Sequence, residues 1–114
     1  MGLSFPAETQ FLLYHRARDE PSLLPAPDDA VHLKLKLPAS AAAKLLAQTP
    51  LSSAAWESQH PLIFDQPTWP DWQPSRIRKF RFAQFQLPKA QVLNVLIDDD
   101  RDDIKTVYLE WFET

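Results

Sequence analysis

Carboxylates are concentrated in residues 98–103, where aspartate fills five of the six positions. Aspartates at the first, third and fifth places of this segment match the first ligands of a calcium-binding loop. The sixth place, where such a loop turns on glycine, is Asp103, and the twelfth, where it has a bidentate glutamate, is Leu109. Both flanks have the pattern of strands instead of helices. We therefore expect a polar turn between two strands, with no metal site.

Other catalytic residue types are scattered or missing. The three histidines, His15, His32 and His60, have neither the HxH nor the HExxH spacing of metal sites. The absence of cysteine excludes disulfides, zinc–thiolate sites and thiol nucleophiles. The only glycine is Gly2, so the P-loop, the dinucleotide fingerprint and the nucleophile elbow cannot be present. We expect no enzyme activity, no cofactor and no bound metal.

A basic stretch over residues 76–82 interleaves cations with aromatic side chains, and its candidate binding residues are Arg76, Arg78 and Arg81. Sheet-surface RNA readers have a similar composition. A net charge of −3 argues against nucleic acid, because phosphate binding depends on excess positive charge. An acidic protein partner or an anionic ligand fits better. The simplest alternative is a solvated strand face whose arginine stems cover apolar neighbours.

The segment from Pro50 to Ser75 combines five prolines with three of the four tryptophans. Tryptophan provides a large, rigid contact area and is enriched in binding hot spots. Proline reduces the entropy that a loop loses on ordering. The candidate binding residues here are Trp56, Trp69, Asp71 and Trp72. Some of these indoles are equally well explained as core residues that cap the sheet.

The elements that must position these groups follow from hydrophobic periodicity and proline placement. Alternation of apolar and polar residues is clearest from Ala30 to Leu37, and an alanine-rich helix with Ser40 as N-cap follows as far as Gln48. The predicted strands are Glu8 to Arg18 (with a helical turn as the alternative), Ala30 to Leu37, Ile77 to Leu87, Gln91 to Ile97 and Ile104 to Phe112.

Three local features accompany this assignment. The apolar residues of the third strand change parity near Ala83 and Gln84, which predicts a β-bulge there. Prolines make residues 19–29 a loop, and a helical turn is expected near residues 53–58. The fourth strand is apolar on both faces, which is typical of an interior strand.

Together these elements predict one α+β domain over residues 1–114, with a mostly antiparallel sheet of about five strands, one short helix on a face and a long Trp/Pro-rich loop. No apolar run reaches the length of a membrane span. No signal peptide is visible, which fits a cytoplasmic protein, or a periplasmic or envelope protein from which a leader has been removed.

The combined expectation is a small non-enzymatic domain that binds a protein partner through its Trp/Pro-rich loop. The alternative is a small-ligand or glycan binder that uses the same tryptophans. An exposed final strand, Ile104 to Phe112, would also allow a homo-oligomer to form by edge pairing. The layout is similar to that of small bacterial envelope lipoprotein domains and toxin-neutralising immunity proteins. This likeness is architectural and assigns no role to any residue.

Overall fold

The computed structural model describes residues 4–16, 30–48, 51–53, 55–59 and 72–113. These residues form a five-stranded antiparallel sheet with one α-helix, so the predicted α+β fold is confirmed. The elements are β1 (Gln10–Arg16), β2 (Ala30–Pro38), α1 (Ala39–Leu46), β3 (Phe80–Leu87), β4 (Gln91–Asp98) and β5 (Ile104–Glu113). Residues 19–29, predicted to be a loop, lie outside the described residues. No helix in the described ranges is long and apolar enough to cross a membrane.

The strand order is β1-β2-β5-β4-β3, which places the last strand of the chain in the centre of the sheet. β5 pairs with β2 along one side and with β4 along the other. Edge pairing of two copies through Ile104 to Phe112 is therefore wrong as a prediction, because both hydrogen-bonding edges of that strand are already used. β4 is an interior strand, as its two apolar faces indicated, and β1 and β3 are the outer strands.

One face of the sheet packs against α1, and we call it the helix-covered face. Its central residues are Leu35, Val95 and Val107, which are fully buried. The helix contributes Ala41, Ala42 and Leu45 to the same cluster. The residues are those expected from the alternation in β2, because every second side chain of a strand points to the same side.

The opposite face packs against the indole of Trp72, and we call it the Trp72 face. Its apolar cluster consists of Trp72, Phe82, Leu96 and Tyr108. The bulge predicted near Ala83 and Gln84 is absent, since β3 and β4 pair without a register shift from Phe80 to Leu87. The change in parity has another cause: both faces of β3 are covered, so apolar side chains point to both sides.

The helix begins two residues earlier than predicted. Pro38 is at the N-cap position, and Ser40 lies in the first turn without capping it. The N–H of Ala39 instead donates to the carbonyl of Asp103 at 2.9 Å. A tertiary contact from the turn between β4 and β5 thus satisfies a donor that a helix start leaves open.

The loop segments also differ from the expectation. The helical turn covers Leu51–Ser53 instead of residues 53–58. Glu57 forms an antiparallel bridge with Phe82, in which each N–H donates to the other residue's carbonyl at 2.8 Å. In the turn between β3 and β4, Lys89 and Ala90 have φ angles of 64° and 57°. These values favour glycine, which the chain lacks here.

Candidate functional site

Of the seven predicted binding residues, the five that the structure describes do not form one surface. Trp69 and Asp71 lie outside the described residues. Of the remaining five, Trp72 belongs to the Trp72 face, whereas Trp56, Arg76, Arg78 and Arg81 lie near the start of β3 or beside it. Each of these five residues has different contacts.

Trp72 is only 2% exposed and acts as a core residue. Its ring meets the rings of His32 and Tyr108 edge to face, with centroid distances of 5.1 Å in both cases. This geometry is favourable for aromatic pairs, in which a ring edge meets a ring face. The indole therefore caps this side of the sheet, and almost none of its area is left for a partner.

Trp56 is partly buried against the core of the helix-covered face. The guanidinium of Arg81 lies 5.7 Å from the centre of its ring, within the range of a cation–π contact. The same guanidinium donates from Nε to Asp99 Oδ2 at 2.6 Å and from Nη2 to Asp99 Oδ1 at 3.0 Å. Arg81 is thus held between an indole and a carboxylate of its own chain, which reduces its capacity to bind a partner.

Asp99 is the centre of a charged cluster at the end of the helix-covered face. Lys105 Nζ also donates to its Oδ1, at 3.0 Å. Partial burial by itself would raise the pKa of Asp99. The hydrogen bonds and positive charges of Arg81 and Lys105 outweigh that effect, so the pKa is lowered from its ordinary value. The carboxylate is therefore stabilised in its ionised form.

Arg76 and Arg78 are exposed, as a binding role requires. The backbone near them is fixed by the acidic turn, because the carboxylate of Asp100 accepts hydrogen bonds from the N–H groups of Arg78 and Lys79. These distances are 3.1 and 2.8 Å. The two arginines are therefore presented on an ordered segment beside β3.

The acidic turn uses its carboxylates for internal contacts. Asp98 Oδ1 accepts from the N–H of Asp100 at 2.8 Å, and Asp103 pairs with Arg101 at 2.9 Å. The hydrogen bond from Arg101 is the main reason that the pKa of Asp103 is lowered. Within the described ranges, no group of three or more potential metal ligands is found. The turn therefore has the geometry of a structural connection between β4 and β5.

A row of polar side chains crosses all five strands of the Trp72 face, and the sequence analysis missed it. Its members are cross-strand partners in register, and we call them the polar row: His15, His32, Glu110, Asn94 and Gln84. Gln84 donates to Asn94, and Asn94 donates to Glu110 Oε1, both at 2.9 Å. His32 Nε2 lies 2.9 Å from Glu110 Oε2.

The polar row is buried in its centre, where Asn94 is 2% and Glu110 is 8% exposed. Buried polar groups are costly unless they are paired, and a shift of one residue would break every pair in the row. The row therefore favours one strand register. Asn94, a single polar residue inside the apolar run of β4, is the signal in the sequence that points to it.

The exposed large apolar side chains in the described part of the chain all lie on β1. They are Phe11 at 56%, Leu12 at 39% and Tyr14 at 59% exposure. β1 pairs with β2 with a register shift between Phe11 and Leu13, so Leu12 occupies a bulge. Phe11 also contacts Phe5 edge to face at 5.5 Å. This strand had not been identified as a candidate binding surface.

Comparisons with known proteins add no further assignment. No protein-family model, curated protein or solved structure matches this chain.

Proposed function

We propose that this chain is a non-enzymatic domain that binds a protein partner, with β1 as a principal contact surface. The observation that supports this most directly is the exposure of Phe11, Leu12 and Tyr14 on one outer strand. Single exposed apolar residues are common on proteins, but neighbouring large ones are typical of interaction sites. Phe11 and Tyr14 are such neighbours, because they pair with Leu35 and Leu33 and therefore point to the same face of the sheet, whereas Leu12 lies in the bulge between them. Burial of such side chains provides most of the binding energy at hot spots.

The position of β1 at the edge of the sheet strengthens the proposal. Within the described residues, β1 pairs only with β2, so its outer edge meets no other described strand. An outer strand offers backbone groups as well as side chains to a partner. The bulge at Leu12 interrupts a regular ladder, and bulges of this kind oppose edge-to-edge pairing of identical strands. We therefore infer a different protein as the partner, in contact mainly with the side chains.

The arginines predicted as binding residues have a secondary role in the proposed binding. Arg76 and Arg78 are available for electrostatic steering of an acidic partner. They lie near the start of β3, which is the strand at the opposite edge of the sheet from β1. The role of Trp69 and Asp71 in the same binding stays a prediction.

A glycan site built on the tryptophans receives less support. Stacking on a sugar requires an accessible ring face, but Trp72 is 2% exposed and Trp56 has Arg81 above its ring. An enzyme is also less well supported. The paired carboxylate and imidazole, Glu110 and His32, are held within the polar row, and their side chains are only 11% and 13% exposed.

The proposal is tested by comparing proteins retained by the immobilised wild-type chain and by the variants Leu12→Asp and Tyr14→Asp. An aspartate at either site removes an apolar contact and adds a charge, while the exposed position spares the fold. The matched control is Ala43→Asp, which adds the same charge at an exposed position of α1. Quantitative mass spectrometry identifies proteins retained by the wild type, and purified candidates are then measured by calorimetry.

We expect a purified partner to bind the wild type and the Ala43→Asp variant with similar affinity. Each β1 variant should weaken binding by about tenfold or more, since loss of a hot-spot side chain costs at least 1–2 kcal/mol. A partner that binds all four chains equally would exclude β1 as the contact surface. Light scattering checks for self-association: a dimer that both β1 variants dissociate would replace the different partner by a second copy.

A further inference from the structure

Leu12, in the bulge of β1, also lines a shallow groove of about 270 Å³ on the Trp72 face. The side chains beside it in this groove are largely polar and include Lys36 and Thr106. We call it the Leu12 groove. A partner that covers Leu12 therefore meets these polar side chains as well, and their chemistry limits the groups that the partner can place there.

The register of the sheet holds Lys36 beside Leu12. Lys36 alternates with the buried leucines of β2, so its side chain points to the Trp72 face. Its cross-strand partners are Gln10 on β1 and Thr106 on β5. An amide and a hydroxyl both donate hydrogen bonds. Lys36 is therefore flanked by two neutral donors and lies next to an exposed apolar side chain.

Lys36 differs from the other two cations of the Leu12 groove. Lys34 Nζ lies 5.3 Å from the centre of the Tyr108 ring. Arg101 forms an ion pair with Asp103 at 2.9 Å. The ammonium of Lys36, in contrast, makes no hydrogen bond or ion pair with any residue that the structure describes. Lys36 is therefore the cation of this groove to which a partner can supply a counter-charge.

Two carboxylates near the Leu12 groove determine where an acidic group can bind. Asp98 lines the groove on β4 and is separated from Lys36 by Thr106, which pairs with both residues. Glu8 shares a smaller cleft with Lys36 but forms no ion pair with it, and its exposure lets solvent screen its charge. Asp98 repels a second carboxylate at its own end. An incoming acidic group is therefore favoured at the opposite end, beside Lys36 and Leu12.

We propose that the protein partner of β1 places an acidic side chain on Lys36, next to an apolar side chain that packs on Leu12. The carboxylate accepts a charge-assisted hydrogen bond from Lys36 and a second hydrogen bond from the Thr106 hydroxyl. This inference rests on the proposed function, because it concerns the same contact with β1. It adds the chemistry of the partner, which presents an apolar and an acidic residue as neighbours.

The test is a selection of random peptides displayed on phage, with the immobilised chain as the target. We expect the enriched peptides to carry aspartate or glutamate beside an apolar residue. Synthetic copies are titrated against the variants by fluorescence polarisation. Leu12→Asp and Lys36→Glu should each weaken binding by about tenfold or more. The matched control is Lys44→Glu, the same charge change at an exposed position of α1, and it should leave the affinity within about twofold.

A substitution in the peptide tests the ion pair without altering the chain. Replacing the acidic residue by its amide should weaken binding to the wild type by about tenfold. The same replacement should have little effect on binding to Lys36→Gln, because that variant already lacks the other charge of the pair. Urea unfolding verifies that Lys36→Gln and Lys36→Glu are folded.

The outcomes separate this inference from the proposed function. Peptides that lose affinity with Leu12→Asp, but not with Lys36→Glu or the amide replacement, would overturn the acidic contact and leave β1 as the contact surface. Enriched peptides without an acidic residue would overturn it as well. Peptides whose affinity changes in neither Leu12→Asp nor Lys36→Glu would contradict both the acidic contact and the proposed role of β1.

Discussion

The two faces of the sheet are both buried, but different kinds of residue cover them. The helix-covered face is apolar in its centre, and α1 supplies small residues that fit against it. The Trp72 face is crossed by the polar row, and its apolar cluster is built around one large indole. Apolar packing provides the driving force and favours one register on both sides, and the polar row adds the cost of separating buried polar partners when the register changes. The Trp72 face therefore contributes more than the helix-covered face to the specificity of strand pairing.

The largest expected effect is the loss of Trp72, which tests whether one indole stabilises its face as much as the helix does the other. Trp72→Ala should destabilise the protein by about 3–5 kcal/mol, because it removes a fully buried ring. Leu35→Ala on the helix-covered face should cost about 2–5 kcal/mol. Urea unfolding measures the loss in free energy of unfolding for both variants. Trp56→Ala is the control, and its cost should be smaller because Trp56 is only partly buried. Equal losses for the two tryptophan variants would contradict the core role of Trp72.

An intermediate effect is expected in the polar row. Glu110→Ala removes the acceptor of Asn94 and the neighbour of His32 Nε2, which leaves buried polar atoms without that contact. Such groups cost about 1–3 kcal/mol each. Glu110→Gln keeps an acceptor for Asn94 and should cost less. Chemical denaturation measures the free energy of unfolding of both variants. Equal stability of both would mean that the hydrogen bonds of the row contribute nothing.

A smaller effect is expected at Asp99, at the charged end of the helix-covered face. Asp99→Asn should cost about 1 kcal/mol at neutral pH, since it removes an ion pair of which one partner, Arg81, is partly exposed. The folded pKa of Asp99 lies below its ordinary value of 3.8, so the carboxylate stabilises the fold above that pH. This contribution disappears as the pH falls through the lowered folded pKa.

Thermal unfolding as a function of pH measures the Asp99 effect. The stability difference between wild type and Asp99→Asn should be constant near neutrality and should shrink below a pH of about 4. The control is Asp102→Asn in the same turn, because Asp102 is exposed. A difference that persists unchanged in strong acid would show that the Asp99 charge is not its source.

Local patterns predicted most of the elements, for physical reasons that act over a few residues. Alternation located β2, and proline marked the boundary between β2 and α1. Predictions from local patterns were wrong where a residue distant in sequence provides the contact that a neighbouring residue was expected to provide. Ser40 was predicted to cap the helix, but the carbonyl of Asp103 satisfies Ala39 instead. The parity change in β3 predicted a bulge because the cover on its second face was not visible from that strand alone.

The candidate site was less predictable than the fold. Arg81 was identified as a cation on a strand, but its carboxylate partner Asp99 is 18 residues away in the chain. The polar row takes one residue from each of the five strands, and the adjacency of these residues depends on strand order. No local pattern contains that information, because cross-strand contacts join residues that are distant in sequence.

The sequence by itself determined the α+β class, the alternation that gives each strand two distinct faces, and the absence of thiol and glycine-loop chemistry. These properties depend on residue type and short-range backbone geometry. Only the tertiary structure decided that β5 is central, that Trp72 is buried and that β1 exposes its apolar side chains. Burial is set by what the rest of the chain places over a residue. The same residue type is therefore buried in one strand and exposed in another, as Phe82 and Phe11 are.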